Sequence, residues 1–75
     1  MRRVQAHWDW EASVWVAESG DVPGLVAEAR SEDALKAKLQ VLVPELLELN
    51  CGLKPSETSE FQIHWHKEEM VRLHA

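Results

Sequence analysis

The sequence predicts a small α+β domain of the form β-β-β-α-β: an antiparallel meander of three strands, one helix, then a fourth strand. Three observations carry this. Residues 3–10 alternate strictly between apolar and polar side chains, the period-two signature of a half-buried strand. Two further short apolar runs, residues 13–19 and 25–30, follow it, separated by a Gly- and Pro-containing turn at residues 20–24. A leucine stripe at helical spacing then begins just after Ser31.

In the first strand Val4, Ala6, Trp8 and Trp10 share one side, and Arg3, Gln5, His7 and Asp9 the other. Glu11 and Ala12 form a tight connection. The second strand, SVWVAES, is rich in β-branched and aromatic residues suited to a pleated surface. It is apolar on both faces, with Val14 and Val16 pointing one way and Trp15 and Ala17 the other, which marks it as a candidate dimer interface. Trp8, Trp10 and Trp65 are expected in the core. Trp15, on the face opposite Val14 and Val16, is expected at an interface, where tryptophan is enriched.

After the turn, Leu25, Ala27 and Ala29 alternate with Val26, Glu28 and Arg30 to give a third strand. Ser31 is a suitable N-cap, because its hydroxyl can accept a hydrogen bond from a first-turn amide, and Glu32 and Asp33 follow where negative charge suits the helix dipole. Leu35, Leu39, Leu42, Leu46 and Leu49 then recur at spacings of four and three, widened by Val43 and Leu47. Pro44 falls inside this stripe without breaking its phase, so it predicts a kink rather than a stop. Asn50 or Gly52 can supply the left-handed residue that ends the helix. Residues 53–60 read as a polar loop. In FQIHWH, Phe61, Ile63 and Trp65 face the core, and Gln62, His64 and His66 face away. The tail, residues 67–75, is ambiguous between a short strand and a frayed helix.

At 75 residues the chain is read as one domain, residues 1–75, with its core over about residues 4–66. A domain near this size buries only about 60% of the surface its unfolded chain exposes, so its stability is marginal and dimerisation has a physical motive. With 8 basic and 13 acidic residues and a net charge of -5, the chain is unsuited to a phosphate backbone. An acidic domain attracts basic partners instead. Direct nucleic-acid binding is therefore not expected, and since no run approaches the ~18 apolar residues of a membrane span, neither is membrane insertion. The single cysteine, Cys51, forms no intrachain disulfide and fits a reducing cytoplasm. It is expected as a small buried hydrophobe at the helix end. The start, MRRV, lacks the apolar stretch of a signal peptide.

Chemically, the sharpest candidate is HWH, in which His64 and His66 share one face of a strand in a geometry used for two ligands of some zinc sites. His7 joins them if the first and fourth strands are neighbours. Without a paired Cys or an H-E-x-x-H helix, the polar surface of a sheet is the preferred reading. Asp9, Asp21, Glu28, Glu45, Glu48 and Glu57 supply carboxylates, but exposed acids lack the burial or like-charge neighbours that tune a catalytic pair. Ser13, Ser19, Ser31, Ser56 and Ser59 sit in no nucleophile-elbow motif. No catalytic residue, metal site or cofactor is assigned.

The segment SGDVPGLVAEARSEDAL resembles the part that marks HicB-like antitoxins: Asp21, Val22, Pro23 and Gly24 form a turn, a short strand follows, and Ser31 through Leu35 open a helix. From Val4 to about Asn50, including VPELL, the chain looks more closely like small stand-alone prokaryotic domains of unknown function grouped with them. The resemblance implies a truncated ribonuclease-H-like sheet of order 3-2-1-4, covered by the helix on one face. The other face would carry His7, Trp15, Val26, His64 and His66. Pro23 and Gly24 then serve the turn itself.

Many HicB-like antitoxins continue into a DNA-binding region that this sequence does not match. The reading is therefore a cytoplasmic, non-enzymatic, homodimeric protein-binding module. Its implied partner is a small basic HicA-like toxin, met by Trp15 with Asp21 and Glu28 as acidic rim. The alternative is an orphan domain of that family with a non-toxin partner. A metal-dependent enzyme using His64 and His66 is the third reading.

Overall fold

The computed structural model describes residues 1–54 and 60–74. The sequence-read residues Ser56, Glu57 and Ser59 lie outside that set. The strands are β1 (Arg3–Asp9), β2 (Val14–Glu18), β3 (Val26–Ala29) and β4 (Gln62–His66), with α1 (Glu32–Cys51) between the last two. They form one sheet of order β3-β2-β1-β4. β1 runs antiparallel to β2 and parallel to β4, and β2 runs antiparallel to β3. The expected α+β arrangement and sheet order are therefore present.

Register explains how α1 comes close to the sheet. Ala27 lies opposite Ala17, Ala17 opposite Ala6, and Ala6 opposite Trp65. These methyl side chains line the covered face and let the helix approach, with Leu35, Leu39, Val43 and Leu47 buried against them. Each of these four helical residues follows the last by four positions, and such a row lies along one side of a helix. Leu49, expected in the stripe, falls off that row and is exposed.

Both helix ends are built as the sequence suggests. The Ser31 hydroxyl accepts from Ala34 N at 3.1 Å, and the Ser31 carbonyl accepts the first helical bond, from Leu35 N, at 3.0 Å. At the other end Gly52 is the left-handed cap, with φ 66°, and its N–H reaches Glu48 O at 3.1 Å. Pro44 sits inside an uninterrupted helix. Cys51 is exposed rather than buried, because the last turn runs past the buried row that ends at Leu47.

The turn at residues 22–25 is type II in character. Leu25 N donates to Val22 O at 3.1 Å, Pro23 occupies the position that favours its fixed φ, and Gly24 has φ 83°, a conformation natural for glycine. The Val22–Pro23 bond is trans, since the described chain has no cis peptide. Asn50 Nδ2 donates to Pro23 O at 2.9 Å, fastening the end of α1 to this turn. Between β1 and β2 the connection is longer than Glu11 and Ala12 alone. Asp9 Oδ1 accepts from Glu11 N and Ala12 N at 3.0 and 3.2 Å, and Ser13 closes the turn with φ 56°.

The four tryptophans divide differently from the sequence expectation. Trp15 is 5% exposed, in the core, whereas Trp10 is 57% exposed. Trp10 belongs to the turn beyond the end of β1, where the alternation of the strand no longer places it under the helix. Trp8 and Trp65 are partly buried against the core.

Candidate functional site

Only one sheet face is covered by α1, so the other is the natural place to look for binding. Reading across the sheet from β3 to β4, Glu28 lies opposite Val16, Val16 opposite His7, and His7 opposite His66. The next row is Val26, Glu18, Gln5 and His64. Val14 extends the apolar part of β2. Carboxylates thus lie toward β3, imidazoles toward β4, and a short valine strip between them. Glu28 is exposed, and Val26 is 76% exposed.

Trp15, the sequence-expected anchor, is not on this face. It lies opposite Trp8 and Ala29 on the covered side, and Val16 holds the central apolar position instead. The assignment of faces on β2 is thereby reversed. A signal for this lay in the sequence: closing the hairpin on either Trp10 with Ser13 or Asp9 with Val14 puts Trp8 opposite Trp15, and opposite residues share a face. Val14 and Val16 must then look outward.

The turn residues serve the fold. Asp21 Oδ2 accepts from Arg3 N at 2.9 Å, tying the turn to the start of β1. Ser19 Oγ accepts from Asp21 N and Val22 N at 3.0 and 3.2 Å and donates to Arg3 O. The Asp21 carboxylate is thus already engaged by a main-chain amide. Glu28 sits on the face itself, with its carbonyl accepting from Lys38 Nζ at 2.6 Å.

The histidines do share a surface, and β1 and β4 are neighbours as the metal hypothesis requires. His66 lies 3.4 Å from Glu68 Oε1 through Nε2, and His7 stands opposite it in register. Among the described residues, no three His, Cys, Asp or Glu side chains converge as a metal-holding group. Among the described carboxylates, Asp9 and Asp21 accept from main-chain amides, while Glu18 and Glu28 are diagonal neighbours on the open face.

Among the described residues no helix is long and apolar enough to cross a membrane. No curated protein matches the chain. Among solved structures, a hypothetical protein from the extremely thermophilic bacterium Thermus thermophilus is 45% identical, with TM-score 0.70, over 96% of this chain and 97% of that one. At that identity the likeness extends to sequence as well as fold. The family described as a domain of unknown function, DUF1902, matches residues 1–75, and the chain belongs to that family.

Proposed function

We propose that this DUF1902 chain is a non-enzymatic protein-binding module of HicB-like character, whose uncovered sheet face receives a small basic partner. The observation that carries the reading is the composition of that face: Val14 and Val16 in the middle, with Glu18 and Glu28 beside them. An apolar centre with a charged rim is the usual anatomy of a protein interface. The chain's net charge of -5 speeds encounter with a cationic protein. The 3-2-1-4 sheet order and the Asp21–Gly24 turn support the HicB-like comparison, in which the partner is a basic toxin of HicA type whose RNA-binding surface is masked without catalysis. The same features suit a non-toxin basic partner of an orphan domain.

The test is calorimetry of the purified chain against the product of the adjacent gene, at low and high salt. Binding is expected at low salt and weaker as the ~10 Å screening length near 0.1 M shortens. Val16→Asp should weaken it at least about tenfold, since it places a charge at the apolar centre, and Glu28→Ala by less. The chain alone should leave promoter DNA unshifted. Binding to a neighbour that has no ribonuclease activity selects the non-toxin partner. No heat with any neighbouring product overturns the reading.

A further inference from the structure

The described chain measures 58 × 20 × 18 Å and has a radius of gyration of 14.6 Å. A compact domain of this length has a radius of about 11 Å, and a 20-residue helix spans only about 30 Å. The segment after β4 adopts neither helix nor strand, and its apolar side chains stand in water: Met70 is 86% exposed, Val71 74% and Leu73 92%. Its root is nevertheless fixed. Trp10 Nε1 donates to Glu68 O at 2.7 Å, and the Lys67 ammonium lies over the Trp8 and Trp10 rings at 4.7 and 5.2 Å. An apolar arm therefore leaves the body from an anchored point.

A complementary surface is present on the same molecule. β3 forms an edge of the sheet. Beside it runs a shallow groove lined by Val26, Ala27, Glu28, Lys38 and Leu42. The Glu28 carbonyl points out of this edge, since Lys38 Nζ holds it from the helix. In the arm, Met70 and Arg72 alternate with Val71 and Leu73. Laid parallel along β3, the arm sets Met70 beside Val26, Val71 beside Ala27, Arg72 beside Glu28 and Leu73 beside Ala29. Val71 and Leu73 then fall on the same side of the sheet as Ala27 and Ala29, where Leu42 lines the groove. The exposed apolar pair Met70 and Val26 cover each other, and opposite charges meet at Arg72 and Glu28. An antiparallel arm that keeps Arg72 beside Glu28 sets Met70 beside Arg30 and His74 beside Val26, losing the apolar match.

We infer that the occupant of this groove is the arm of a second copy of the chain: two chains exchange residues 69–74, each arm adding a parallel strand to β3 of the other. Reciprocal exchange closes a two-fold dimer and leaves no free arm. Strand addition of this kind takes its affinity from main-chain bonds and its register from side-chain pockets. The arm N–H groups take over the Glu28 carbonyl from Lys38. The inference does not depend on the identity, or existence, of a basic partner.

Sedimentation velocity on the chain alone, from about 1 µM to about 1 mM, spans the affinities expected of a small interface. The wild type should shift from 8.6 kDa to twice that mass. Val71→Asp with Leu73→Asp should hold it monomeric with unchanged far-ultraviolet circular dichroism, because both side chains are exposed in the single chain. Arg72→Glu should weaken the dimer about tenfold by placing like charges side by side, and adding Glu28→Arg should restore it. A monomer throughout the range, a dimer indifferent to the two arm aspartates, or no rescue by the charge exchange would each overturn the assignment.

Discussion

Trp15 and Trp65 meet edge to face with ring centroids 4.9 Å apart, although β1 separates the two strands that carry them. They reach each other because Ala6, opposite Trp65, occupies only a methyl's space on the strand between them. Trp8 meets Trp15 at 5.5 Å and Trp10 at 5.9 Å, so the aromatic contacts run from the core out to the anchored root of the tail. Such edge contacts add about 0.5–1.5 kcal/mol per pair beyond area burial.

Trp15→Ala should therefore destabilise the domain by about 3–5 kcal/mol, far more than an exposed interface residue would. Ala6→Leu should cost about 1–3 kcal/mol by overfilling the same space. Urea unfolding followed by circular dichroism checks both. A Trp15→Ala variant with an unchanged midpoint would show that the ring is dispensable to the core.

Gly24→Ala tests the turn. The added Cβ would meet Asn50 Nδ2 at 3.4 Å and Leu46 Cδ2 at 3.7 Å, which are ordinary contacts. Its cost lies in the backbone, held at φ 83°, and should be about 1 kcal/mol or more. Asn50→Ala should cost about 1 kcal/mol by freeing the Pro23 carbonyl. Thermal unfolding midpoints equal to the wild type in both variants would contradict this account of the turn.

Metal addition gives a third expectation. His7 and His66 are opposed across β1 and β4, but among the described residues no group of three His, Cys, Asp or Glu side chains could hold a metal ion, so zinc should not bind stoichiometrically. A chelator should leave the unfolding temperature where it was. One tightly held zinc ion per chain, measured by atomic emission after dialysis, would instead favour the histidine-based reading.

Much of this molecule follows from local rules. Alternation in residues 3–10, the Ser31 cap, the Pro23–Gly24 turn and the four-residue spacing of Leu35, Leu39, Val43 and Leu47 each depend on neighbours a few positions away. They determine the strands, the helix and their order. The valine strip was half legible: Val14 and Val16 alternate as clearly as Trp15 and Ala17, so period alone leaves the faces of β2 equivalent, and pairing with Trp8 breaks the tie. Tertiary structure decided the remainder. Trp10 and Leu49 fit the apolar patterns yet stand in water, because a side chain is buried only where another layer lies over it. The Trp15–Trp65 contact and the opposition of His7 to His66 depend likewise on which strands become neighbours, a long-range choice that no local period encodes.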